Sequence, residues 1–493
     1  MSQVIRTSKG SQCDIASQQG PITNFPLELK VEIFKFVVLS SEENRSHAVK
    51  TLCLVDKNWN NIANATSDLW TKVTLTYPFL TNKLSAAQKW LVASAQKPID
   101  VEIILHDPEW DICTGADQHP LAIPGRLQAM IVVLQGTEHR WRSLSIRSDT
   151  WSPVCEFFEV RSISDLPSLE SLCIERHDEV LAAMTVRLLP WEFTEPPIQF
   201  GSDGPFMPRL REASIIGIPV HHESAAASLR NLRKLEIKYD SHNFGPNLQY
   251  FASFLASSPE LEVLEVTGYG PVIVQAWQPW PSPVHLPALK HLKLGWTCPD
   301  FACNILLLLQ IPETLETLVL SDTESGLGSH RLCGSGLFSH HEDSSGILET
   351  LEGLGSEASR GEDLPGPWIS MRGLKRLSIS WVKSKAACIS AFMKRASMVE
   401  EIRLTDVNLG VLEGIAEALA EPGHFKSLKK ICIQWIWNGG FETEEAGLFT
   451  DRIRDVLGGK SEVVVRELRR GGWDLVPIEL EALLDEENAE RGP

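Results

Sequence analysis

One short pattern, apolar-x-x-apolar-x-apolar, returns ten times between residues 141 and 433. It reads Trp141-Leu144-Ile146, Leu169-Leu172-Ile174, Leu210-Ala213-Ile215, Leu232-Leu235-Ile237 and Leu261-Leu264-Val266, then Leu289-Leu292-Leu294, Leu315-Leu318-Leu320, Leu374-Leu377-Ile379, Val399-Ile402-Leu404 and Leu428-Ile431-Ile433. Successive starts are 28, 41, 22, 29, 28, 26, 59, 25 and 29 residues apart. A period in the twenties marks an array of stacked units, because one strand with one helix is too small to bury its own apolar face. Inside each segment the alternation of period 2 sends the apolar residues to one side and the residues between them to the other. A closed barrel needs strands and turns at a tighter spacing of about 8–12 residues.

The stretches between these strands carry helical spacing, as in Phe251, Phe254 and Leu255, and again in Ile389, Phe392 and Met393. Prolines at 190, 196, 197, 205 and 208 mark a loop that accounts for the 41-residue interval. The 59-residue interval is about twice the mode, as though one unit had decayed. Nine glycines between Gly326 and Gly366, with many Ser and Glu, read as a flexible insertion, within which Ile347, Leu348, Leu351 and Leu354 form a remnant helix. Trp296, Trp381 and Trp435 continue the inward row and are expected in the core. Beyond the array, Leu448–Leu457 is expected to be helical, Val463-Val464-Val465 a closing strand, and ELEALLDEENAERGP an acidic tail. The pattern resembles that of leucine-rich-repeat proteins of the irregular, helix-bearing kind, without a regular Asn or Cys after each strand. That resemblance implies an α/β solenoid, a horseshoe of short parallel strands backed by helices.

At 493 residues the chain exceeds the roughly 250–300 at which a single core stops growing. Its 43% hydrophobic and 22% charged residues suit a folded chain in water. The longest apolar run, Ile305–Leu309, falls far short of a membrane span. The first twenty residues are polar, without the apolar stretch of a secretory leader, and are expected to be a disordered tail. Ten scattered cysteines without a C-x-x-C pair fit reduced thiols in the cytoplasm or nucleus. A net charge of −18 argues against nucleic acid as the main partner. The expected organisation is a tail (1–20), a small helical domain (21–75), a linker with first irregular repeats (76–140), the repeat array (141–479, with the insertion at 323–370) and the acidic tail (480–493).

Residues 24–75 depart from the repeat. Pro26 sits where a helix starts, followed at helical spacing by Leu29, Ile33, Phe34 and Val37. A second amphipathic stretch runs through Val49, Leu52, Val55, Trp59 and Ile62, and the Ser67-Asp68-Leu69-Trp70 turn leads to alternating Val73 and Leu75. On pattern alone this is a three-helix unit capping the first edge of the array. The residue choices go further. Asn24-Phe25-Pro26-Leu27-Glu28-Leu29, Glu32-Ile33-Phe34, Leu52-Cys53-Leu54-Val55-Asp56-Lys57-Asn58-Trp59 and Asp68-Leu69-Trp70 resemble the F-box, in particular the F-box-like domains of fungal proteins. Phe25 replaces the usual Leu, and Asp56 replaces the usual Cys with a charge near the expected interface. The resemblance implies a subunit of a Skp–cullin–F-box ubiquitin ligase, with Phe25, Pro26, Leu29, Ile33, Leu54, Val55 and Trp59 serving the interface with a Skp-type adaptor or the fold beneath it. A cullin would follow through the adaptor, the repeats would hold an unknown protein substrate, and the chain itself would be non-catalytic. The competing expectation is a plain repeat scaffold whose first unit is only a cap or acts outside a cullin complex.

No phosphate loop, dinucleotide fingerprint or serine-nucleophile elbow is present, and no cofactor is expected. His221-His222-Glu223 and His340-His341-Glu342-Asp343 lack distant partners at zinc spacing and read as solvated loops. The outward strand positions carry Arg147, Lys234, Lys238, Lys293, Arg376, Arg403 and Lys430 against Glu175, Glu212, Glu236, Glu265 and Glu401. Lys293, Arg376, Arg403 and Lys430 are therefore the candidates for receiving an acidic or phosphorylated substrate segment. Trp277 and Trp280, in a Pro-rich loop, are candidate exposed anchors.

Overall fold

A computed structural model describes residues 25–41, 45–107, 127–150, 152–159, 165–176, 198, 200, 207–239, 247–268, 270–271, 280–296, 299–311, 313–322, 344–352, 368–421, 423–437, 462–471 and 474–478. Leu354, Trp277, Leu448–Leu457, His340, His341 and the expected tails lie outside these residues. The chain is α/β, with twelve α-helices among the described residues. None of them is long and apolar enough to cross a membrane. The contacts divide it into two units, Met1–Val73 with Ser85–Ile99, and Thr74–Leu84 with Asp100–Pro493.

The first unit holds α1 (Leu27–Ser40), α2 (Arg45–Val55) and α3 (Lys57–Ala65). Pro26 caps α1 in an extended conformation, where its missing N–H costs nothing. The second amphipathic stretch is not one helix. Asp56 breaks it in extended backbone and caps α3, its carboxylate accepting the Trp59 N–H at 2.7 Å. Phe34, Val38, Val49, Leu52, Ile62 and Ala63 are buried. Trp70 donates its indole N–H to the Ala63 carbonyl at 2.8 Å and meets Trp90 edge-on. Asp68 pairs with Lys35 (3.4 Å) and Lys97 (2.9 Å), and these two ammonium groups hold its carboxyl below the usual range.

In the second unit the ten repeat segments are strands β3 (Trp141–Ser148), β4 (Ser171–Arg176), β5 (Glu212–Ile216), β6 (Lys234–Tyr239), β7 (Val263–Gly268), β9 (His291–Trp296), β11 (Thr317–Asp322), β13 (Arg376–Ser380), β14 (Glu401–Thr405) and β15 (Lys430–Trp437). With β1 (Lys72–Thr76), β2 (Ile99–Leu105), β16 (Glu462–Gly471) and β17 (Asp474–Ile478) they form one fourteen-stranded sheet whose spatial order follows the chain order. Every pair from β3 to β16 is parallel, and β16–β17 is antiparallel. The expected closing strand is thus part of β16. Three short strands, β8 (Val284–His285), β10 (Leu309–Ile311) and β12 (Trp368–Ile369), make a second parallel sheet.

The inward residues align across the ladder. Leu292 pairs with Leu318, Leu318 with Leu377, Leu377 with Ile402, and Ile402 with Ile431. All are buried, each worth about 1.5–3 kcal/mol when withdrawn from water. The long intervals need correction. β11 pairs directly with β13, so the 59-residue interval is one unit with an insertion rather than two units with one decayed. That unit still contributes a helix, Ser345–Glu352, with Ile347, Leu348 and Leu351 buried. Trp296 is buried as expected. Trp381 is not in the row: it follows β13 with φ +56° and is only half-buried. Trp435 lies in β15.

Candidate functional site

Two surfaces emerge, one on each unit. On α1, Lys30, Phe34 and Val38 fall at spacing i, i+4, i+8 and form the buried stripe. On the opposite side Leu29, Ile33 and Phe36 make a second apolar stripe at i, i+4, i+7, with Leu29 53% and Phe36 74% exposed and Ile33 half-buried. A helix at a protein surface needs one apolar stripe; two stripes require two neighbours. On α2, Val49 and Leu52 face inward, while Leu54 (84% exposed) and Val55 (54%) stand out on its last turn. Phe25 and Pro26 are exposed just ahead of α1.

The seven residues expected to serve an adaptor therefore divide. Phe25, Pro26, Leu29, Leu54 and Val55 are at the surface, and Ile33 shares the outer stripe. Trp59 belongs to the support: it is half-buried, with its ring 4.8 Å from that of the fully buried Phe34. The sequence reading missed Leu27, Phe36 and Leu39, which are also exposed. The signal was available, because α1 carries more apolar residues than one face can hold. Asp56, expected to disturb the interface, instead satisfies the first turn of α3. Charge adds a second property. The described residues of this unit hold eight Lys or Arg against four Asp or Glu, a surplus of four in a chain of net charge −18.

The second surface is the outward side of the large sheet, where register sorts the side chains into three rows. One runs His291, Thr317, Arg376, Glu401, Lys430; the next runs Lys293, Val319, Ser378, Arg403, Cys432; the third runs Gly295, Ser321, Ser380, Thr405, Gln434. The cations thus occupy the two rows toward the amino ends of the strands. The row at the carboxyl ends is small and uncharged.

Charge also changes along the sheet. From β2 to β5 the outward positions hold Asp100, Glu102, Glu175 and Glu212 against Arg147 alone. From β6 to β15 they hold Lys234, Lys238, Lys293, Arg376, Arg403 and Lys430 against Glu236, Glu265 and Glu401. Many charges are shared locally. Arg147 reaches Glu175 at 3.3 Å, and Lys293 reaches Glu265 at 2.9 Å. Arg403 lies 3.5 Å from Glu401 on its own strand, and the Arg376 Nε donates to the Thr317 hydroxyl at 3.1 Å. Burial pushes the His291 imidazole below its usual range; Glu265 opposes that shift, while Lys293, Arg376 and Lys234 add to it. Trp280 is half-buried, so it is a weaker anchor than expected.

A third polar group sits at the carboxyl ends of β2–β4. The buried Asp149 carboxylate lies 2.8 Å from His106 Nδ1 and accepts the Asp107 N–H at 2.9 Å, and the buried Arg176 Nε donates to the Asp149 carbonyl at 3.2 Å. These bonds tie three strand ends together. Among the described residues no three His, Cys, Asp or Glu side chains are placed to hold a metal ion. No family model matches the chain, and no curated protein matches it.

Proposed function

We propose that this chain is the substrate-receptor subunit of a Skp–cullin–F-box ubiquitin ligase. Its first unit is an F-box-like domain that binds a Skp-type adaptor, and its second is an irregular leucine-rich-repeat solenoid that holds a protein substrate. The observation that carries this reading is the second apolar stripe of α1 together with the bare Leu54 and Val55. A unit serving only as a cap needs a polar outer face. Here the residues that the F-box resemblance assigns to the adaptor are the ones left at the surface, and that coincidence has no purpose in an isolated cap. The cationic surplus around them favours an adaptor with an acidic rim. The chain-ordered, nearly all-parallel sheet and its twenties-residue period support the solenoid reading. The cation-bearing rows of its outward face support an acidic or phosphorylated substrate segment, and transfer chemistry belongs to other subunits.

Co-purification of the full chain with a purified Skp-type adaptor tests the proposal. Leu29→Glu with Leu54→Glu places charges at two exposed positions, so the thermal midpoint is expected to hold while adaptor retention falls more than about tenfold, as for interface anchors worth roughly 2 kcal/mol each. Trp59→Ala is the wrong probe, because it removes the support of Phe34. If the intact chain never retains the adaptor, or the double variant retains it equally, the reading is wrong.

A further inference from the structure

We infer that the acidic segment Glu479–Pro493 docks on the cation-bearing rows of β13–β16 and competes there with acidic substrates. This inference rests on the outward face being the receptor surface proposed above. The segment holds Glu479, Glu481, Asp485, Glu486, Glu487 and Glu490 against Arg491, a net charge of −5 in fifteen residues. It begins where β17 ends, and β17 lies at the edge of the sheet nearest the cations. Arg376, Arg403 and Lys430 occupy outward register positions on three successive strands, and Arg466 takes the next one, beside Gln434.

The chain direction fits as well. β17 runs antiparallel to β16, and Ile478 pairs with Glu467, one residue beyond Arg466. The segment therefore leaves at the level of the carboxyl-end row and heads toward the amino-end rows, where Arg403 and Lys430 stand. Three strand spacings separate β17 from β14, about 14 Å at roughly 4.8 Å each. A flexible fifteen-residue segment has a root-mean-square span of about 21 Å, so the cations lie within its ordinary reach. Tethering at that distance gives an effective concentration on the order of 1 mM, enough to compete with a weakly binding free peptide. The contact is between exposed groups, so salt weakens it.

The test uses the full chain and a fluorescein-labelled octaglutamate peptide as probe. One variant neutralises the segment without shortening it, by Glu479→Gln, Glu481→Gln, Asp485→Asn, Glu486→Gln, Glu487→Gln and Glu490→Gln. It is expected to bind the peptide about five- to tenfold more tightly than the parent at low salt, with the difference shrinking at 0.5 M salt by roughly the screening of one Debye length. Adding Arg403→Glu and Lys430→Glu is expected to abolish that gain. If the neutralised variant binds no more tightly, while the two charge reversals still weaken peptide binding to the parent, the segment is not the occupant and the receptor surface stands. If the reversals change nothing in either background, the receptor surface fails and this inference falls with it.

Discussion

Tyr239 shows how one side chain can be placed correctly and still carry an unforeseen property. It ends β6, at the inward position after Ile237, and lines a small apolar cavity with Ile215, Leu229, Phe251 and Phe254. Burial among these groups raises the phenol well above its ordinary value, because the phenolate would have to leave water without a compensating charge. The sign for stability follows. With the folded pKa above the unfolded value of about 10, the folded state resists losing the proton, so the contribution is complete below about pH 10 and is lost as pH rises past it. Denaturant midpoints measured from pH 8 to 11, spanning the ordinary phenol range of about 10, are expected to fall more steeply for the parent than for Tyr239→Phe. Parallel curves would show that the phenol does not ionise on unfolding. Asp56 carries the complementary lesson: read as a misplaced charge in an interface motif, it is a helix cap, because a carboxylate in extended backbone one residue before a helix accepts the free N–H groups of the first turn.

At the scale of elements, the sequence was most legible where a period repeats. All ten repeat segments became strands, because inward apolar alternation needs only neighbours within six residues and is set by the local backbone. β8, β10 and β12 were invisible, since two or three residues show no period and are held by pairing with one another. α1 was found, but its outward stripe was not, because a helical pattern cannot say which side faces the molecule's own core. Helix packing also rests on a position that no pattern flags. Gly414, inside the helix Leu409–Ala420, faces the helix Ala386–Arg395 so closely that a Cβ would fall on the Ala386 carbonyl oxygen and crowd Ile389. Gly414→Val must push the two helices apart, at an expected cost of about 1–3 kcal/mol, despite the gain in helix propensity from leaving glycine. Chemical denaturation checks it, and an unchanged or raised midpoint would mean that the pair yields without strain.

For the whole molecule the decisive fact is that spatial order in the large sheet follows chain order, so each strand from β3 to β15 is paired only with the segments just before and just after it in the chain. That arrangement was foreseeable from the period, whereas the 59-residue interval was misread because sequence distance cannot distinguish an insertion from a lost unit. Direct pairing of Thr317 with Arg376 settles it. Such an order also governs how damage spreads. Stability in a chain of nearest-neighbour contacts is close to a sum of local terms, so a defect weakens its own unit and the adjoining ones first. Leu318 on β11 is fully buried and sits between Leu292 and Leu377 in the ladder. Leu318→Ala is expected to cost about 2–5 kcal/mol, the range for a buried leucine that leaves a cavity. Amide hydrogen exchange is expected to quicken most in β9, β11 and β13, and least in β4 and β5, five or more strands away. Equal loss of protection from β4 to β15 would mean that the sheet unfolds as one cooperative body, and that its chain-ordered strands do not act as separable units.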